Sequence, residues 1–290
     1  WTQSIYNAFL TGKRPATYLF ITLLGAFLLM LSLGISPIVA IGGAVAVAFC
    51  SYNMQIIQVG HNTKMMAIAW LPWVLAAVIF TYRTALSMFR VNADESPKST
   101  SWKSWLPQTI LGASLFGMAL NFQIKANHIQ ISYYLAIIIF CYAIGLFIWL
   151  VADKERRHGI AKFFAASALL LTIGIIGIGA NANKLIPTYN YSKHTMRGGS
   201  ELADGSSENS GKTKGLDLEY ATAWSYGWQE LPNMMIPDFN GGASSGAVNY
   251  SKSETIKLLK QYGQPNLREV AKSLPLDWGP QPFTAGPMYM

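Results

Sequence analysis

The chain has 290 residues, 51% of them apolar and only 12% charged, against ~25% charged in an ordinary soluble domain. Lys and Arg total 22 against 14 Asp and Glu, a net charge of +8, yet only Asp94 and Glu95 precede Asp153. A first half nearly free of carboxylates excludes a soluble enzyme, a disordered tail and a nucleic-acid binder reading phosphates, and it suits a bilayer.

An uncharged apolar run of ~18 residues predicts a transmembrane helix. In chain order the runs are Tyr18–Leu33, Ile38–Tyr52, Met65–Tyr82, Trp105–Phe122, Ile131–Ala152 and Phe163–Ala182. Only Gly34, Ile35, Ser36 and Pro37 separate the first two. Pro72 predicts a kink in the third, and Pro107 opens the fourth in its first turn. Gly174, Gly177 and Gly179 offer a close-packing face on the sixth. Cys50 and Cys141 sit in apolar runs and read as buried, inert thiols, too few for a disulfide framework. Residue 1 is Trp, so the chain reads as a piece of a longer protein. The expected class is therefore an all-α polytopic membrane protein with about six spans.

Basic residues orient the spans. One side holds Arg83, Arg90, Lys98, Lys103, Lys154, Arg156, Arg157 and Lys162; the other holds Lys13, Arg14, Lys64 and Lys125. The richer side is expected to be cytoplasmic. Residues 1–16 are then the end of an outer loop, 17–182 a six-helix membrane domain, and 183–290 an outer segment leading to a further span. Within it, Gly198–Gly215 reads as a flexible loop. Ser253–Tyr262 reads as a short amphipathic helix capped by Ser253 and ended by Gly263, and Pro265–Leu274 as a second.

Polar residues recur at the outer helix ends: Gly60-His61-Asn62-Thr63-Lys64, Lys125-Ala126-Asn127-His128 and Asn181-Ala182-Asn183-Lys184. Lysine binds phosphate as a point charge, and amides and imidazoles hydrogen-bond phosphate and sugar alike. Each residue also has a plainer explanation, because lysines snorkel at span ends and asparagines cap helices. No acid lies in the spans, so a general base in this chain must come from the outer segment. Glu219 and Glu230 flank the aromatic run with Tyr220, Trp224 and Tyr226. That run suits a sugar, or equally a bilayer surface. No P-loop, GxGxxG, HExxH, CxxC or Asp-x-Asp is present. No metal site is assigned; a divalent metal has no visible ligand set.

Gly60–Lys64 followed by Ala67-Ile68-Ala69-Trp70-Leu71-Pro72-Trp73 resembles the YfhO family of bacterial multi-span membrane proteins. So do Ala126–Tyr134, Arg197-Gly198 with Ser200-Glu201-Leu202, Glu219-Tyr220-Ala221-Thr222 with Trp224-Ser225-Tyr226-Gly227, and Trp278-Gly279 with Gln281-Pro282-Phe283-Thr284. The resemblance implies a GT-C-type glycosyltransferase in the bacterial cytoplasmic membrane. Such an enzyme moves a sugar from a polyprenyl-phosphate donor to a cell-envelope acceptor on the outer face. Gram-positive members of the family are associated with glycosylating teichoic acids. It implies a donor site at His61, Asn62, Lys64, Lys125, Asn127 and His128, with Asn183, Tyr220, Trp224 and Tyr226 toward substrate. Enzymes of this fold usually carry the catalytic carboxylate in the first outer loop, here ahead of residue 1, which leaves Glu219 and Glu230 as weaker candidates. A transporter or flippase for a lipid-linked sugar, and a non-catalytic scaffold, are the competing readings.

Overall fold

The computed structural model describes residues 15–58, 60–87, 102–192 and 253–273 and, singly, Thr222, Ser225, Trp228, Leu231 and Pro232. Every regular element among the described residues is helical. They divide into two units. One holds the residues up to Phe49 and Ile56–Tyr189; the other holds Cys50–Gln55 and the residues from Asn190 onward.

The first unit is a helix bundle. Its elements are α1 (Ala16–Ser32), α2 (Pro37–Ala48), the end of α3 (Ser51–Gln58), α4 (Asn62–Ala85), α5 (Trp102–Lys125), α6 (Ile129–Ala152), a 3-10 turn (Lys154–Gly159), α7 (Ile160–Gly179) and the start of α8 (Ala182–Ser192). Three stretches are long and apolar enough to cross a membrane: α4, α6 and Lys154–Gly179.

The other expected spans differ in length or polarity. Helix α1 has 17 residues, which at 1.5 Å per residue is ~26 Å against a ~30 Å hydrocarbon core. Helix α2 has 12, or ~18 Å. The run expected to continue to Tyr52 breaks at Phe49–Cys50, and a separate, more polar helix, α3, starts at Ser51. Helix α5 is 24 residues long and starts at Trp102, so Pro107 lies inside it rather than opening it. Gln108, Thr109, Ser114 and Asn121 make it less apolar than the three spans.

Helix α4 is the axis of the bundle: 72% of its apolar window is buried, against 17% for α6. It runs unbroken through Pro72. Helix α1 lies parallel to it. Tyr18 Oη donates to Asn62 Oδ1 at 3.1 Å at their starts, Trp73 Nε1 donates to the Ile21 carbonyl at 2.9 Å midway, and Arg83 Nη1 donates to the Ser32 carbonyl at 2.6 Å at their ends. Gly25 makes room for Trp73, whose ring would meet any Cβ there. Helix α5 is antiparallel to α4, with the Thr84 and Thr109 hydroxyls 3.3 Å apart at one end and the Trp70 and Phe122 rings 4.7 Å apart toward the other.

Helices α5 and α7 run parallel and close. A Cβ on Gly177 would come within 3.1 Å of the Gly117 carbonyl oxygen, and one on Gly174 within 3.3 Å of the Phe116 ring. Small residues thus let backbones approach, as membrane helices require. Gly179, expected on the same face, has nothing within 4 Å of such a Cβ.

Helix α6 leaves Tyr133, Tyr134, Ile137, Phe140, Ile148 and Trp149 exposed. Cys141 is exposed with them and Cys50 is half-buried, so neither thiol has the buried setting expected of it. An apolar run alone does not say which face packs, and α6 packs few of its residues. At its far end Asp153 accepts from the Glu155 amide at 3.0 Å, and the Arg156 guanidinium lies 4.1 Å from the Trp149 ring centre.

In the second unit, α9 (Glu254–Gln261) is capped by Ser253, whose Oγ accepts from the Ile256 amide at 3.4 Å. Gly263 at φ +71° ends it, and α10 (Leu267–Ser273) follows. Ile256 and Ala271 are buried.

Candidate functional site

The polar motifs at the first two expected outer turns share one local structure. Helix α3 ends with Gly60 at φ +77°. The Gly60 and His61 amides donate back to the Ile57 and Ile56 carbonyls at 3.1 and 3.0 Å, the double closure that a left-handed residue permits. Helix α5 ends with Asn127 at φ +58°, its amide donating to the Ile124 carbonyl at 2.8 Å. Asparagine tolerates this conformation better than most residues. A histidine follows each left-handed residue and precedes the next helix. Neither the His61 nor the His128 side chain caps that helix. Helix-stopping chemistry therefore accounts for Gly60 and Asn127, and it leaves both imidazoles for other work.

These turns lie together at one end of the bundle. Burial lowers the pKa of the His128 imidazole, and the Lys64 charge lowers it further; its own backbone interaction pulls the other way, and His61 adds to the lowering. His61 and Lys64 at the start of α4 thus lie within electrostatic reach of His128 at the start of α6. Asn62 accepts from Tyr18 at the same end. The third turn joins through Lys184, whose Nζ donates to the Lys125 carbonyl at 3.3 Å. It joins also through Asn181, whose Nδ2 reaches Asn121 Oδ1 at 2.8 Å.

The opposite end is built differently. Gly34 stops α1 at φ +87°, beneath Arg83, and Leu86 lies against Gly159. The bundle therefore has an end with Lys64, Lys125, Lys184, His61 and His128, and an end with Arg83 and the Asp153–Gly159 turn.

No family model, no curated protein and no solved structure matches this chain. The structure brings His61, Asn62, Lys64, Lys125 and His128 to one end. Asn127 is exposed there and holds a backbone turn. Asn183 is exposed; the bonds of that turn are made by Asn181 and Lys184 instead. Glu219, Tyr220, Trp224, Tyr226 and Glu230 lie outside the described residues. Among the described residues no group of His, Cys, Asp and Glu could hold a metal ion.

Sequence reasoning passed over Gln123 and Trp70. Both are buried, and each has a side-chain nitrogen without a hydrogen-bond partner. A glutamine in the last turn of a largely apolar helix was the available signal. In the sequence Tyr18 marks only the start of the first apolar run, yet its hydroxyl donates to Asn62 Oδ1.

Proposed function

We propose that the chain is the membrane part of a GT-C-type glycosyltransferase, with its donor phosphate bound at the Lys64–Lys125–His128 end. The YfhO resemblance of the motifs motivates the reaction class. The observation that carries the site is the gathering of His61 and Lys64 at the start of α4, His128 at the start of α6 and Lys125 at the end of α5, with Lys184 Nζ donating to the Lys125 carbonyl at 3.3 Å. In this reading α1, α2 and α5 join the three long apolar helices in a six-helix membrane domain. The lysine-bearing end faces outward and the Arg83 end faces the cytoplasm, following the bias of basic residues.

The chemistry is a displacement at the anomeric carbon. An acceptor hydroxyl oxygen forms the new bond to that carbon, a carboxylate takes its proton, and the bond to the polyprenyl phosphate oxygen breaks. Charge then grows on the leaving phosphate. Cations and donors already in place stabilise such charge without reorganising. Lys64 and Lys125 supply the cations, and His61, His128 and Asn62 supply hydrogen-bonding groups.

Binding of a short-chain polyprenyl-phosphate sugar to the protein in nanodiscs tests the reading. A charge-assisted hydrogen bond contributes ~1.5–3 kcal/mol, so Lys64→Met or Lys125→Met should weaken binding about tenfold or more. Lys→Arg should restore it only in part, because the donor geometry changes. Wild-type affinity in both methionine variants would remove the phosphate site. Binding that depends on the lysines but with inward-to-outward movement of the lipid-linked sugar, and no transfer, would favour a flippase.

A further inference from the structure

We infer that the interior of the bundle between α4, α5 and α6, at the lysine-bearing end, is a binding site for a neutral, oxygen-bearing group. Among the described residues, the buried side-chain polar atoms without a hydrogen-bond partner are Trp70 Nε1, Gln123 Nε2 and His128 Nδ1. Gln123 is 0% exposed and Trp70 is 3% exposed. An unmade bond on a buried donor is costly, so native proteins keep few of them.

This bundle otherwise satisfies its buried polar groups. Thr22, Thr81, Thr84 and Thr109 all bond backbone carbonyls one turn back, and Asn181 is paired. Trp73, one turn beyond Trp70, donates its indole N–H to Ile21. The unpaired atoms are also linked to one another through the fold. Trp70 packs on Phe122, the residue before Gln123. Gln123 Oε1 accepts from Ser132 Oγ at 2.9 Å, which orients the amide toward α6. Ser132 lies one turn beyond His128, and its amide points back to the His128 carbonyl at 3.5 Å.

The chemistry of the two buried donors, Trp70 Nε1 and Gln123 Nε2, names the ligand class. An indole N–H and an amide NH2 only donate, so they need acceptor oxygens. Both are uncharged, and neutral donors offset the burial of an anion poorly. Hydroxyl and ring oxygens of a sugar carry this chemistry, as do ester carbonyls of a glycerolipid. The site goes beyond the phosphate reading because it requires neutral oxygens inside the bundle, not charge at its surface.

The test is thermal unfolding of the protein in nanodiscs of an ether-linked phosphatidylcholine, which has no ester carbonyl. The probes are decyl glucoside, dioctanoylglycerol and decyl phosphate. The variants are Trp70→Phe and the pair Gln123→Met with Ser132→Ala, which removes both partners of that bond together. At least one neutral probe should raise the wild-type unfolding temperature in proportion to its concentration, and both variants should lose the shift. A shift by decyl glucoside alone identifies a sugar site; a shift by dioctanoylglycerol identifies a lipid ester site. No shift by either neutral probe, or a shift that survives in both variants, overturns the inference. If decyl phosphate alone acts, and acts through Lys64 and Lys125, this inference falls and the phosphate site stands. The reverse pattern separates them the other way. Should the variants not fold, photolysis of wild-type protein with a diazirine-bearing decyl glucoside or acylglycerol decides. Label on Trp70 or Gln123 supports the site, and label confined to the exposed face of α6 overturns it.

Discussion

Asn181, just past the end of α7, holds Asn121 near the end of α5. Its Nδ2 donates to Asn121 Oδ1 at 2.8 Å and lies 3.2 Å from the Asn121 carbonyl and 3.3 Å from the Gly177 carbonyl. One amide thus fastens the ends of two parallel helices beside the lysine-bearing end. Asn181 is buried, so its loss leaves acceptors without a donor. Asn181→Ala is expected to cost ~1–3 kcal/mol, read as an earlier unfolding midpoint in nanodiscs. Asn181→Asp, which cannot donate, should cost no less. An unchanged midpoint in both variants would mean that α5 and α7 are held by their glycine contacts alone.

Gly34 closes α1 with a left-handed turn. Its amide donates to the Leu31 carbonyl at 2.9 Å, and the Ile35 amide to the Met30 carbonyl at 3.0 Å. A Cβ there would lie 3.0 Å from Arg83 Nη1. Gly34→Ala therefore meets both backbone strain and the guanidinium, and an expected loss of ~1–2 kcal/mol follows from the left-handed conformation alone. Gly42→Ala is the control, since its Cβ would meet nothing within 4 Å. Equal stability of the two variants would contradict this account.

His128 makes stability depend on pH. In the folded chain burial, Lys64 and His61 lower its pKa, whereas the unfolded chain takes up the proton near ~6.5. Between those values the unfolded state binds more protons, so stability falls as pH falls. The contribution is fully present above the unfolded value and is lost below it. The unfolding midpoint should drop as pH falls through and below the unfolded value of ~6.5, and His128→Gln should flatten that slope. Lys64→Met should flatten it less, because burial is the larger cause. A slope identical in wild type and His128→Gln would assign the pH dependence elsewhere.

Cys141 reports on what covers α6. It is exposed, near the middle of a helix long and apolar enough to cross a membrane. With lipid around α6, a membrane-permeant maleimide should label Cys141 and a charged, impermeant one should not. Delipidation or denaturation should remove the difference. Rapid labelling by the impermeant reagent in intact nanodiscs would show that water, not lipid, faces α6.

Local rules made several features legible from sequence alone. Gly263 stops a helix because a left-handed residue closes that end, and Ser253 starts one because its hydroxyl accepts a backbone amide. The apolar character of α4, α6 and α7 follows from composition. The recurrence of Lys, His and Asn at helix ends was visible too, although part of it is helix-stopping chemistry, as Asn127 makes plain.

Partnership between helices was decided only by tertiary structure. A helix that is apolar all round has no polar stripe to mark its packed face, so nothing in the sequence distinguishes the buried α4 from the exposed α6. For the same reason Gly177 packs and Gly179 does not, and Asn181 rather than Asn183 makes the buried bond. Nor does any local signal carry Lys64 to His128, because their approach depends on how α4 and α6 dock. The sequence by itself determined what kinds of helix this chain forms and where several of them stop. The docking of those helices decided which of its polar residues meet.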